Sequence, residues 1–247
     1  MSGLEPGAVP ATSNSRADSD DWIIPDAARL ESLAEFAAGA GHEINNPLAT
    51  IIGRAQQLLK DERDPQRRQM LQSIGAQAYR IRDMIGDTML FARPPKPELQ
   101  SIHLSTVTES VLSKLAEQLG QSNCQVVTSI PADLLLRADP VQLSIVISEL
   151  VRNGRHALQP DGGPIQIRAA SDTCGNSRIE VEDHGVGFTE TERIHAFDPF
   201  FSGRQAGRGL GFGLPKCWQI VRQHGGQIEI KSPPEGPTIV EMLWPSP

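Results

Sequence analysis

Apolar residues between positions 30 and 91 recur at steps of three and four, the spacing that places them on one face of an α-helix. Leu30, Leu33, Ala37, Ala40, Ile44, Leu48, Ile51, Ala55 and Leu58 make a first stripe, which predicts one buried helix face. Met70, Ile74, Gln77, Ile81, Met84 or Ile85, Thr88 and Phe91 make a second. The polar break at 61–65 suits a tight turn, so the two helices fold back as an antiparallel hairpin. Such a hairpin buries little alone, and the pattern predicts that two copies pair into a four-helix bundle. Arg93-Pro94-Pro95-Lys96-Pro97 ends the second helix, because proline disfavours helical backbone before it and closely spaced prolines keep a connector extended.

Beyond the connector the periodicity is mixed. Helical patterns cover 105–119, 140–158 (opened by Asp139 and Pro140) and 212–224, while 125–130, 134–138, 165–169, 178–182, 227–231 and 238–244 read as strands. Strands come in hairpin pairs instead of alternating strictly with helices. This predicts an α+β chain: a helical hairpin followed by an α/β-sandwich with a mixed sheet covered by helices. The expected division is a disordered tail at 1–24, the hairpin at 25–93, a proline-rich linker at 94–101 and the α/β domain at 102–247. The tail lacks periodicity; Trp22-Ile23-Ile24 interrupts it and suits packing on the helix that follows.

Composition narrows the function. A net charge of −7 without a basic block argues against nucleic acid as a partner. Cys124, Cys174 and Cys217 are widely spaced and form no metal-binding pair, which fits a reducing compartment. With no leader pattern and no apolar run of about 18 residues, the expectation is a cytoplasmic protein that does not enter the membrane.

Four segments carry chemistry. His42-Glu43-Ile44-Asn45-Asn46-Pro47-Leu48-Ala49 offers a nucleophile, a carboxylate and an amide within two helical turns. On a helix Asn46 shares a face with His42, and Pro47 gives no N–H to the Glu43 carbonyl, so a bend is expected there. Asn153 sits mid-helix, where asparagine is a poor helix former, and its carbonyl is a hard oxygen suited to Mg²⁺. Glu149, one turn earlier, lies on the same face. Asp183-His184-Gly185-Val186-Gly187 follows a strand; the carboxylate can accept from an amino group, and Gly185 and Gly187 let backbone pass close to a planar ring. Gly207-Arg208-Gly209-Leu210-Gly211-Phe212-Gly213 opens a helix whose free N–H groups favour phosphate, with Arg204 and Arg208 nearby. Taken singly, these last three have ordinary readings as a polar face, a turn and a linker.

In this order they resemble one family, the sensor histidine kinases of two-component systems, with a phosphoacceptor hairpin and a GHKL-type (Bergerat) ATP-binding domain. The likeness runs from about residue 29 to the C-terminus. The segment from His42 resembles the phosphoacceptor box, Asn153 the asparagine box, Asp183 to Gly187 the first glycine box, Phe197-Asp198-Pro199-Phe200-Phe201 the phenylalanine box, and Gly207 to Gly213 the second glycine box; His224-Gly225-Gly226 is also typical. The resemblance implies that His42 attacks the γ-phosphorus of ATP, that Glu43 takes a proton from its ring, and that Asn46 orients water for the reverse, phosphatase reaction. It further implies that Asn153 with Glu149 holds Mg²⁺ and Asp183 holds adenine. Phe200, Arg204, Gly207, Gly209, Gly211 and Gly213 would enclose the nucleotide. The implied partners are a second copy of the chain, a cytoplasmic response regulator receiver domain and a separate sensor protein, because fewer than about 30 residues precede the first helix, too few for a sensing domain.

Four positions depart from the family pattern. Glu149 stands where a first asparagine is usual; in related ATPases a glutamate there activates the nucleophile, so an alternative is a GHKL-type ATPase, or a nucleotide-gated binding module without phosphotransfer. Gly154 replaces an alanine and should weaken its helix by up to about 1 kcal/mol. Leu210 replaces a threonine, and Ser202-Gly203-Arg204 a Thr-Thr-Lys-like run. The intact His42-Glu43 pair favours the kinase. His103, His156, His184 and His195 lack metal-ligand spacing and read as surface or core residues.

Overall fold

The computed structural model describes residues 27–92, 94–173, 175–201, 211–234 and 236–245, with side chains of the first two helices described at 39, 41 and 43–91. The expectations for the tail, Trp22 to Ile24 included, fall outside these residues.

Local chemistry closes the hairpin. Asp64 Oδ1 accepts the Arg67 N–H at 2.9 Å and so caps α2 (Pro65–Ala92), whose leading proline has no N–H to satisfy. Arg68 donates to the carbonyls of Leu59 and Glu62 (3.0 and 2.8 Å), closing the end of α1 (Ala27–Asp61). α1 passes through Pro47 as one continuous helix. The stripe expected as a single buried face divides in two. Leu48, Ile52 and Ala55 are buried, with Leu48 and Ile52 packing on Ala78, Tyr79 and Ile85 of α2. Ile44, Ile51 and Leu58 are exposed, as are Met70, Ile74, Ile81 and Met84, which the sequence assigns to the buried face of the second helix. One helix in a two-helix hairpin can cover only about a third of its partner's circumference, so the remaining apolar residues face outward. Beside His42 the helices cross closely: a Cβ on Gly41 would lie 2.9 Å from the Met89 sulfur and 3.3 Å from Ile85 Cγ2.

The second unit is a two-layer sandwich. β1 (Gln100–His103), which starts in the last two residues of the segment read as linker (94–101), pairs antiparallel with β3 (Leu135–Ala138). The main sheet has the order β2 (Cys124–Ser129), β4 (Gly163–Ser171), β5 (Ser177–Asp183), β7 (Thr238–Trp244), β6 (Gln227–Lys231); β2 and β4 are parallel and the other neighbours antiparallel. This is the mixed sheet that the paired strand patterns predict. Alternation sends Ile165, Ile167, Ile179, Val181, Val240 and Met242 into the core beneath α3 (Leu104–Gln121), α4 (Pro140–Ala157) and α6 (Gly213–Gln223). The opposite face carries charge: Arg168 pairs with Glu180 and Glu182, and Arg178 and Lys231 pair with Glu241 at 3.1 and 3.0 Å. A short α5 (Glu190–Ile194), absent from the sequence reading, opens with a capping box between Thr189 and Glu192. Among the described residues no helix is long and apolar enough to cross a membrane.

α4 also holds the connector. Asp139 caps it by accepting from Val141 and Gln142, while its other oxygen accepts the Glu98 N–H at 2.9 Å. Burial opposes ionisation of this carboxyl, yet the three backbone donors hold its pKa below the usual range. Gln142 donates to the Pro95 carbonyl at 2.9 Å, so the proline segment is fastened to the helix start. His224 completes the junction. Its Nε2 accepts the Asp139 N–H at 3.1 Å, its Nδ1 donates to the Ile220 carbonyl at 2.8 Å, and its ring lies 4.8 Å from that of Trp244. A nitrogen that accepts from a backbone N–H must be unprotonated, so the imidazole is neutral here.

Burial lowers the His224 pKa below its usual 6.5, against the pull of Ile220 and Asp139. The unfolded chain therefore binds the proton more readily, and the stability His224 contributes is present above about pH 6.5 and lost as pH falls through the folded value. Urea unfolding from pH 8 to 5 should show this loss, and His224→Gln should remove that component of the pH dependence.

Candidate active site

One helix face and one strand end build the site. α4 buries Leu143, Val146, Ile147, Leu150 and Val151 on the sheet, which turns Glu149 and Asn153 toward the start of α6. The spot a Gly213 Cβ would occupy lies 3.0 Å from Glu149 Oε2 and 3.7–3.8 Å from the Asn153 amide atoms. Two hard oxygen donors thus meet the first turn of an eleven-residue helix, whose unpaired N–H groups suit an anion.

Asp183 reaches α4 from the sheet. It stands in phase with Ile179 and Val181, so it points to the helical layer, where a Cβ on Gly154 would lie 3.4 Å from Asp183 Cβ and 3.3 Å from Ile165. Gly154 therefore does more than weaken a helix: it brings α4 close to the strand that carries Asp183. Asp183 Oδ1 accepts the Gly185 N–H at 2.9 Å, and its second oxygen can accept from an amino group. Burial pushes this carboxyl above its usual range, against the Gly185 hydrogen bond and the nearby His184. The glycines that follow are required by space. A Cβ on Gly185 would sit 2.5 Å from the Ala157 backbone, and the Val186 N–H donates to the Ala157 carbonyl at 3.1 Å. Gly187 and Gly211 have positive φ, and a Cβ on Gly211 would lie 2.3 Å from the Phe201 carbonyl oxygen.

Other sequence-derived candidates are placed differently. Phe200, read as part of the nucleotide enclosure, sets its ring edge-on against Phe212 at 4.7 Å, and Phe212 meets Phe91 of α2 at 6.2 Å; this aromatic cluster links the two units. Glu43 and Asn46 are exposed on α1. His42 lies on α1 with its side chain outside the described residues, as are Arg204, Gly207 and Gly209 altogether. His184 pairs with Glu182 and His195 with Asp198. Cys217 is fully buried, which raises its thiol pKa and leaves it inert.

The sequence reading missed Lys216. Its ammonium lies 2.8 Å from Asp87 Oδ1 on α2 and 2.9 Å from Glu149 Oε1 on α4, while Arg152 approaches Glu149 at 3.8 Å. Burial disfavours the ammonium, but Glu149 and Asp87 outweigh that and raise its pKa. A signal existed: Lys216 precedes Ile220 by one turn and so lies on the helix face that is otherwise buried.

A two-helix unit carrying the His42-Glu43 sequence, joined to a mixed-sheet sandwich that brings Glu149, Asn153, Asp183 and the glycine turns around one helix, has the layout of a phosphoacceptor unit beside a nucleotide-binding unit. Residues 32–97 match the His Kinase A (phospho-acceptor) domain, and residues 138–247 match the Histidine kinase-, DNA gyrase B-, and HSP90-like ATPase. The chain belongs to the sensor histidine kinases of two-component systems. It is 31% identical over 210 residues to the sensor histidine kinase ZraS of Klebsiella oxytoca, covering 83% of this chain and 44% of that protein. To the sensory histidine kinase/phosphatase NtrB of Klebsiella oxytoca it is 32% identical over 209 residues, with 81% and 59% covered. The C4-dicarboxylate transport sensor protein DctB of Pseudomonas aeruginosa is 28% identical over 225 residues, 89% of this chain and 37% of that protein. The chain thus spans 37–59% of these relatives. Full-length ShkA in complex with AMPPNP shares the fold, with a TM-score of 0.74 over 85% of this chain and 45% of that one at 18% identity.

Gly185→Ala should force α4 and the loop apart at a backbone contact, costing about 1–3 kcal/mol. Thermal unfolding should show a lower Tm together with weakened binding of a fluorescent ATP analogue.

Proposed function

We propose that this protein is an ATP-dependent protein-histidine kinase that phosphorylates itself on His42 and passes the phosphoryl group to an aspartate on the receiver domain of a response regulator. The observation that carries this reading is the meeting of Glu149 and Asn153, on the helix whose Gly154 packs on Asp183, with the start of α6, in a unit that packs against the end of the hairpin that carries residue 42. Asp183 would accept the amino group of adenine, and the first N–H groups of α6 would face the phosphates. Asn153 and Glu149 fit Mg²⁺ by their chemistry, being hard oxygens on one helix face. When bound, that ion neutralises phosphate charge.

The imidazole of His42, in its neutral form, has a nitrogen lone pair to give. Its attack forms an N–P bond as the bond from the γ-phosphorus to the bridging oxygen breaks, and ADP leaves with that electron pair. Glu43 takes the proton from the other ring nitrogen. Arg204, Gly207 and Gly209 would close over the phosphates. Asn46, exposed four residues past His42, would orient water for dephosphorylating the regulator, in line with the paired kinase/phosphatase name of NtrB.

The exposed apolar residues of the hairpin support pairing with a second copy. Cys124 and Cys217, buried and unpaired, fit a reducing, cytoplasmic location. The ATPase alternative has less support, because the His42-Glu43 pair that phosphotransfer needs is intact in the sequence.

Incubation with Mg²⁺ and γ-labelled ATP should give acid-labile, alkali-stable label on the wild type and none on His42→Gln. Phosphate release untouched by His42→Gln but abolished by Glu149→Ala would instead make the protein an ATPase. Asp183→Asn should weaken ATP binding about tenfold or more, as loss of a charged hydrogen bond predicts, read by equilibrium titration of a fluorescent analogue.

A further inference from the structure

Lys216 occupies an unusual place. Its side chain is 7% exposed, its ion-pair partners among the described residues belong to two different units, and one of them, Glu149, is the carboxylate beside Asn153. A cation bound at Glu149 would share that carboxylate with an ammonium already 2.9 Å from it. Two positive charges a few ångströms apart repel strongly where protein excludes water. A cation at Glu149 Oε2, the oxygen that faces Gly213, is opposed by Lys216 on Oε1 unless the ammonium leans away. Asp87 is placed to receive it: its oxygen lies 2.8 Å from the same ammonium, and it comes from the hairpin. Beside this triad the Phe91–Phe212–Phe200 cluster holds the units together, with Phe91 and Phe212 each 1% exposed.

We propose that Asp87 and Lys216 are positioning residues that couple docking of the nucleotide-binding unit on the hairpin to the cation affinity of Glu149: docked, Lys216 is shared between Asp87 and Glu149, and Asp87 takes it as a cation arrives at Glu149; undocked, Lys216 has Glu149 alone and opposes the cation. The inference rests on Glu149 being part of the metal site. Its consequence is that the metal site is completed only when the nucleotide stands at the His42 end of the hairpin. Arg152, 3.8 Å from Glu149 and more exposed, adds a constant positive background that docking does not change. Linkage makes the effect reciprocal, so a filled site tightens docking by the same factor.

Mn²⁺, counted free by electron paramagnetic resonance, serves as the probe, with a non-hydrolysable ATP analogue and the full chain. Asp87→Asn should weaken Mn²⁺ binding about five- to tenfold, the scale of ordinary coupling between sites, and Asp87→Glu should restore it to within about twofold. Lys216→Met should bind at least as tightly as wild type, and adding Asp87→Asn to it should change nothing further. Amide exchange should show residues 80–92 of α2 better protected when Mn²⁺ and nucleotide are bound, and less so in Asp87→Asn. An unchanged affinity in Asp87→Asn overturns the coupling, as does an Asp87→Asn effect that persists without Lys216, which would reveal a bare charge effect of Asp87. Should Lys216→Met not fold, the Asn and Glu variants at position 87 still decide: equal affinities overturn the proposal. Glu149→Gln separates the two layers. Unchanged Mn²⁺ affinity there removes Glu149 from the metal site and the coupling with it; weakened affinity together with an inert Asp87→Asn removes the coupling alone.

Discussion

The site depends on one backbone-to-backbone contact. The last turn of α4 meets the loop after β5 so closely that residue 185 has no room for a Cβ, and the Val186 N–H bonds directly to the Ala157 carbonyl. One turn back, Gly154 allows the helix to approach Ile165 and Asp183. Asn153 and Asp183, thirty positions apart in sequence, are thereby fixed relative to each other by backbone that cannot adjust through rotamers. The other end of the same helix is held by Asp139, which joins connector, cap and His224. A single helix therefore sets Glu149 and Asn153, the approach to Asp183 and the attachment of the helical hairpin.

The junction between the units combines two kinds of contact with different consequences. Aromatic packing of Phe91 on Phe212 is adhesive and tolerant of small shifts. The Asp87–Lys216–Glu149 triad is directional, and removing one partner would leave a buried charge uncompensated, the costly case for ion pairs. A purely apolar junction would hold the units together without regard to what the site contains. Placing a lysine between the two lets the charge state of the site influence the docking, at the expense of a desolvated ammonium.

Much of this was legible in the sequence where the signal is local. Helical periodicity located α1 to α4 and α6, alternation located five strands of the main sheet, and the ordered motifs singled out Asn153, Asp183, Gly185 and Gly213, which the fold sets around α4. The misses are long-range. β1 is four residues, Gln100 to His103, whose strand character comes from pairing with β3 over thirty residues away. The contact of the Phe200 ring with Phe212 joins residues twelve apart across the glycine segment, and no local pattern announces it. Lys216 and Asp87 carry no motif and meet only because two units dock. The single stripe on α1 was real as periodicity but ambiguous as burial, since steps of three and four fill two adjacent faces as readily as one.

That ambiguity has a geometric resolution. Gly41, Leu48 and Ala55 recur every seven residues and are buried toward α2, while Ile44, Ile51 and Leu58 recur every seven and are exposed. Two interleaved heptad positions are what a helix in a supercoiled bundle requires, one facing its hairpin partner and one facing a neighbour beyond. Met70, Ile74, Ile81 and Met84 supply the matching outward face on α2. In the proposed dimer these two faces meet their counterparts, and His42 lies between them in sequence, one residue after inward Gly41 and two before outward Ile44. Packing within the chain and packing between chains would therefore both bear on the orientation of the same helical turn, so a change in either can alter how the phosphoacceptor is presented to a nucleotide unit anchored only a turn away, at Asp87 and Phe91.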